Sequence, residues 1–269
     1  MIDSNAYRPP QADLEIPPKV FATDTTLKTP RKCPTNAGLY WIKSAWHIFK
    51  LRPGLFIMMW LIIFLIMIAL SMLPFVSLLE GIVAPIFTAG FVTSVAQVEH
   101  GKQIGVENLF AGFFENFSRL LGIGALYFIF SVATLFVVGM LVIIPLGVDT
   151  TMKMTKIGQD EVILFWIFLI LLVYFAIQIP LMMLVWFAPV LIIQHDVGVW
   201  RAMSLSFNGC SRNILPFLVY SLMLIVLLIV AMIPLFLGLI IVFPLFMVTL
   251  YTAYKDIFLH VEHEANRVA

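Results

Sequence analysis

The sequence predicts an all-α membrane protein of about six transmembrane helices, built as three pseudo-repeats of an interfacial amphipathic helix plus a helical hairpin. Three observations predict it. Of 269 residues, 62% are hydrophobic and 12% are charged, against roughly 25% charged in ordinary soluble domains. No Asp, Glu, Lys or Arg occurs from Gly54 to Leu79, from Leu120 to Val148, from Val162 to His195 or from Asn213 to Tyr254. Each of these runs exceeds the roughly 20 apolar residues that cross a bilayer. Finally, Phe114, Ser118, Arg119 and Tyr127 map onto Phe207, Ser211, Arg212 and Tyr220 at a constant offset of 93, each time just before a long apolar run.

Residues 1–36 mix Pro, Thr and charges of both signs. They hold too little apolar surface to fold alone and read as a disordered cytoplasmic tail. Their long polar stretch, with no short apolar segment and cleavage site after it, does not fit a secretory signal peptide. The transmembrane domain is expected over 37–258, with repeats at 37–98, 105–194 and 197–258, and 259–269 form a cytoplasmic C-terminal tail.

The first repeat opens with LYWIKSAWHIFK, in which Trp41, Ala45, Ile48 and Phe49 share a helical face while Lys43, His47 and Lys50 point elsewhere. Such a helix is expected to lie in the interface, its aromatics among headgroups and its cations against anionic phosphate. Trp41, Lys43, Trp46, Lys50, Trp200 and Arg201 are the expected interfacial anchors. The first span follows over Leu55–Leu79. The second, Ile82–Val98, is rich in Gly, Ala, Ser and Thr, residues that let helices approach closely in lipid, and is expected to be buried among its neighbours.

In the second repeat Leu109, Phe113, Phe117 and Leu120 continue the amphipathic pattern. A third span at Leu120–Gly147, a polar loop at Val148–Glu161 and a 33-residue run to Gln194 follow. That run is too long for one straight span, so a kink is expected at Pro180, Pro189 or both. The third repeat begins with Trp200, Met203, Phe207 and Cys210 at helical spacing. Its run Ile214–Ala253 suits two spans, with a tight hairpin at Pro234 and Gly238. Proline marks recur in the returning spans: Pro85 lies 33 residues after Arg52, and Pro244 lies 32 after Arg212. The middle unit, with its extra loop, places Pro189 70 after Arg119.

Arg52, Arg119 and Arg212 each sit where an interfacial helix gives way to a span. Two roles fit them. A guanidinium there can hold a lipid phosphate bidentately, with Ser118 or Ser211 as a further donor, or it can snorkel as a topology anchor. Anionic phospholipids are the expected partners. No catalytic, metal or cofactor site and no nucleic-acid partner is expected. Walker A, GxSxG, HExxH and CxxC patterns are absent. His195-Asp196 lacks the further His and Asp ligands of a metal-dependent phosphohydrolase, and Asp196 is better placed to cap the following helix. Glu80 lies at a turn and Gln178 is the most polar mid-span residue, a poor basis for ion coupling. Cys33 and Cys210 fall on the cytoplasmic side and are expected as reduced thiols.

WFAPVLIIQHDVGVWRAMSLSFNGCSRNILPFLVY, with Pro53-Gly54 after Arg52 and the ending YTAYKDIF, resembles an uncharacterised family of proteobacterial multi-pass inner-membrane proteins. The family pattern runs apolar-Pro-x-apolar, His-Asp, Ser-Phe, Arg-Asn, Pro-Phe and closes with Tyr-(Arg or Lys)-Asp-Ile-Phe. The resemblance covers roughly residues 40–258, and within the family the chain looks most like a trimeric envelope-associated member from Acinetobacter. It therefore implies an envelope role and a homo-oligomer, a trimer. Two functions fit: a lipid-interacting structural protein without catalytic turnover, or a transporter or flippase of a lipid or other amphiphile, which internal repeats and proline-broken spans favour.

Fourteen of the sixteen Lys and Arg residues lie on one side of this arrangement, with Lys153 and Lys156 on the other, which puts both termini in the cytoplasm. A reporter active only in the periplasm, fused after Ala269, should therefore be silent; an active fusion would refute the orientation.

Overall fold

The computed structural model describes residues 26–72, 80–152 and 159–260. The described residues form helices and turns with no strand, and six helices are long and apolar enough to cross a membrane. The order short helix, long helix, returning helix occurs three times. It begins with α1 (Ala37–Leu51), α2 (Pro53–Ser71) and α3 (Glu80–Glu99). A 3-10 turn (Val106–Phe110) and α4 (Ala111–Phe114) lead to α5 (Phe117–Met152), with α6 (Gln159–Val185) and α7 (Ala188–His195) returning. Then come α8 (Val199–Arg212), α9 (Ile214–Met232) and α10 (Leu239–Tyr254), which ends in a π turn at Lys255–Leu259.

The units interlock in a ring. α1 packs on α10, the 3-10 turn and α4 pack on α3, and α8 packs on α6 and α7. Each short helix thus lies against the returning helix of the unit before it, and the first closes on the last. The returning helices α3, α7 and α10 are the centre: two thirds of the apolar window of α3 and of the last span is buried, against about a fifth for α2, α5 and α9. Small residues make that centre possible. A Cβ on Gly90 would lie 1.9 Å from the Leu109 carbonyl oxygen, and one on Gly124 would lie 2.2 Å from that of Ile82. No side chain fits either place without moving backbone, so the 3-10 turn and α5 both touch α3 at backbone distance.

Several local expectations change. The tail does not span all of 1–36 as a disordered segment: residues 26–36 form an extended strap whose Lys28 and Arg31 amides donate to the Phe258 and Ile257 carbonyls, both at 3.0 Å. Residues 1–25 and 261–269, the rest of the two expected tails, lie outside the described residues. Val148 to Met152, read as loop, continues α5. The long fourth run breaks at Trp186–Phe187, not at Pro180, which sits inside α6. Pro189 falls in the first turn of α7, where a missing N–H costs no helical bond. Two of the groups freed at the break are covered: Ser206 accepts from the Phe187 amide at 2.9 Å and donates to the Met183 carbonyl at 2.7 Å. The hairpin between α9 and α10 falls where Pro234 and Gly238 indicate it, with Leu235 and Phe236 in the left-handed region at φ 52 and 66.

Candidate functional site

The three arginines occupy equivalent joints. Arg52 Nη1 donates to the Ile104 carbonyl at 3.3 Å, Arg119 Nη1 to the Asp196 carbonyl at 2.9 Å, and Arg212 Nη1 to the Pro30 carbonyl at 2.9 Å. Each acceptor lies in the segment that leads into the next short helix, the last of them leading into the first. Arg119 also pairs with the Asp196 carboxylate at 2.5 Å and reaches Asn116 Oδ1 at 3.1 Å. The guanidinium at each joint therefore ties one unit to the next, a task snorkelling does not describe. One carbonyl engages one of five donors, so phosphate contact by the others is compatible with this geometry. Ser118 is exposed, and Ser211 Oγ donates within its own helix to the Asn208 carbonyl at 3.3 Å.

Among the described residues, the seam where the ring closes holds a cluster of buried polar bonds. Asp256, 3% exposed, accepts from Trp41 Nε1 at 2.7 Å and forms an ion pair with Arg31. The Cys33 amide donates to Asn213 Oδ1 at 2.7 Å, and Asn213 Nδ2 donates to the Arg31 and Gly209 carbonyls. Beside it Lys255 Nζ pairs with Glu99 at 2.6 Å, and the Tyr251 hydroxyl donates to the same carboxylate at 2.8 Å. His195 Nε2 shares a hydrogen bond with the Tyr254 hydroxyl. Burial pushes the Cys33 thiol up to about 12, with the Asp256 carboxylate adding to it, and burial pushes the Cys210 thiol up to about 12 as well. Both stay protonated at neutral pH and are poor nucleophiles.

The anchor residues divide. Trp41 is not an interfacial anchor: it is fully buried, because the face it shares with Ala45, Ile48 and Phe49 packs on α9 and α10. Lys43, Trp46, Lys50, Trp200 and Arg201 are exposed. The second amphipathic segment is not one helix, since it breaks at Glu115–Asn116 with Asn116 at φ 55. In α8 the buried face is Ala202, Met203, Ser206, Gly209 and Cys210, whereas Trp200 and Phe207 lie outside it. Asp196 does not cap α8: Gly198 holds that position, and Asp196 ends α7 in the left-handed region at φ 55.

Between the returning helices lies a cavity of about 270 Å³. Gly81, Ala84, Pro85 and Thr88 of α3 line one wall, and Phe246, Met247 and Leu250 of α10 another. Met182, Val185 and Trp186, with Pro189 after the break, close the third, and Tyr127 of α5 reaches in. Thr88, Tyr127 and the indole N–H of Trp186 are its side-chain polar groups. A second cavity of about 350 Å³ adjoins it, sharing Gly81, Ala84, Thr88 and Met247 and bringing one carboxylate, Glu80. Volumes near the low end of the range of about 300–1,000 Å³ for small-molecule sites, with apolar walls, suit hydrocarbon better than a hydrated solute. Among the described residues, no group of three His, Cys, Asp or Glu is placed to hold a metal ion.

Against curated proteins, the chain is 28% identical over 199 residues to a protein of Burkholderia thailandensis named a probable inner membrane protein. The alignment covers 70% of this chain and 72% of that one. The chain is similar to a bacterial inner-membrane protein. With its six apolar helices, that similarity supports a multi-pass protein of the inner membrane. No family model matches the chain, and no solved structure matches it significantly.

Replacing Arg212 with Ala should lower stability in detergent by about 1 kcal/mol, the Pro30 carbonyl losing a charge-assisted donor from a solvent-exposed group. Arg212→Lys should recover most of this, because one N–H suffices for the joint. Thermal unfolding of both variants checks it; equal melting of Ala, Lys and parent would leave the joint without structural weight.

Proposed function

We propose that the protein is a lipid-interacting structural component of the inner membrane, supporting the cell envelope without catalytic turnover, and that the central cavity takes the acyl chain of a phospholipid. The apolar cavity between the three returning helices, partly open to the surface at Ala84 and Met182, carries this reading. Its walls offer hydrocarbon contact almost everywhere, and the ion pairs among the described residues lie at a ring joint and at the closing seam. Exposed Lys43, Lys50 and Arg201, with the unused donors of Arg52, Arg119 and Arg212, would attract anionic headgroups around the rim. The same distribution of Lys and Arg supports a cytoplasmic position for both termini.

A transporter or flippase is the second reading, because α6 and α7 form a broken span beside the cavity. Transporters use such breaks to aim helix ends at substrate. Here Ser206 occupies the Phe187 amide and the Met183 carbonyl, which favours the static role. Self-association into a homo-oligomer, a trimer by resemblance, draws support from α6, whose apolar window contributes nothing to the buried interior.

Native mass spectrometry of the purified protein should find phospholipid retained, and Ala84→Trp, which fills the cavity, should reduce that retention severalfold with the fold intact. A parent that carries no phospholipid would overturn the proposal. Lipid movement between leaflets of proteoliposomes, dependent on the protein, would select the transporter instead. The same spectra report the number of copies.

A further inference from the structure

The ring has one incomplete seam. The long helix of the second unit, α5, packs against the returning helix α3, and α2 packs against α10, but α9 makes no comparable contact with α6. In its place is a groove of about 220 Å³ between α6 and α9, open to the surface to the same degree as the central cavity. Ile179, Met182 and Trp186 form one side, and Phe217, Tyr220 and Ser221 the other. Ile179 and Met182 are at least half exposed, as are Leu215 and Leu218 beside the opposite wall. The groove thus opens sideways on the surface that the bilayer covers.

We propose that this groove is a lateral port through which an acyl chain of an anionic phospholipid passes from the bilayer into the central cavity, a proposal that rests on the lipid-holding reading above. Two observations commit it to that occupant. Met182 and Trp186 line both spaces, so the groove and the cavity are separated by the thickness of those two side chains. Met is unbranched and readily re-packs. The Trp186 ring meets Phe217 of the groove wall and Phe246 of the cavity wall edge to face, with centroids 6.2 and 5.9 Å apart. A turn of that ring would open one space to the other without moving a helix.

The second observation is charge. Cys210 and Ile214, at one end of the groove, bracket Arg212 in sequence, and Arg212 is exposed apart from its bond to the Pro30 carbonyl. A phosphate held by its remaining donors would leave the attached chain at the groove's mouth. Arg212 is not part of the groove lining, but the groove end formed by Cys210 and Ile214 is the one nearest it along the chain and the one on which the headgroup would lie.

The test uses the whole protein in vesicles of phosphatidylethanolamine and phosphatidylglycerol, the latter carrying a photoreactive diazirine near the end of one acyl chain. Illumination should label peptides of residues 179–186 and 214–221 together with cavity residues of α3. Ser221→Trp, which blocks the groove from an exposed position, should slow exchange of retained lipid at least severalfold while leaving the cavity unfilled. Label absent from both groove peptides, or parental exchange in Ser221→Trp, overturns the port while lipid retention by the parent still stands. A parent without retained lipid overturns the underlying reading instead. Should Ser221→Trp fail to fold, the labelling of the parent decides alone.

Discussion

Among the described residues, one buried carboxylate, Asp256, joins the first unit to the last. Asp256 lies in the turn after the last span, and its oxygens are taken by Trp41 of the first helix and Arg31 of the strap before it. A carboxylate removed from water is costly unless it is paired and hydrogen-bonded, so its position dictates that both partners be present. Their presence fixes the strap, which then supplies the Pro30 carbonyl to Arg212 and the Arg31 carbonyl to Asn213. That contact works beside other polar bonds between the first unit and the last, among them the Thr252 hydroxyl donating to the Trp41 carbonyl and the strap amides donating to Phe258 and Ile257. Apolar contact alone does not choose a partner in a membrane, where lipid tails are as apolar as Leu.

The same logic explains why the polar bonds collect where they do. Three arginines at equivalent joints donate to three backbone carbonyls, and each bond links neighbouring units near the ends of their helices. The interior is left to packing: glycines at backbone distance hold α3 against α5 and the 3-10 turn, and the returning helices meet around an apolar cavity. Polar joints specify the order of the ring, and small residues set how tightly it closes. Where neither device operates, between α9 and α6, the wall is open.

Much of the fold was legible beforehand. Charge-free runs marked every span, because a charge in hydrocarbon is rarely tolerated, and the small residues of α3 marked the buried helix. The periodicity of Trp41, Ala45, Ile48 and Phe49 identified a true face but assigned it to lipid. Helical spacing says which residues lie together; in a membrane protein it does not say whether protein or lipid meets them, since both are apolar. The second amphipathic segment was read as continuous because its spacing tolerates a break, and only Asn116, a residue type that enters the left-handed region readily, hinted at one. The arginines stand out in the sequence by their place before each span, yet their carbonyl partners carry no sequence signature. The closing Tyr-Lys-Asp-Ile-Phe stretch gave a resemblance without a reason. Its reason is the seam, formed with residues more than 200 positions earlier.

The central claim is that Asp256 and Trp41 close the ring by acting on each other. A double-mutant cycle with Trp41→Phe and Asp256→Asn, read by unfolding in mixed micelles, measures that directly. The account predicts a coupling of about 1–2 kcal/mol between the two sites, the double variant being less destabilised than the singles together imply. Effects that add within about 0.5 kcal/mol would contradict it, showing that the two ends of the chain are held together by something other than this carboxylate.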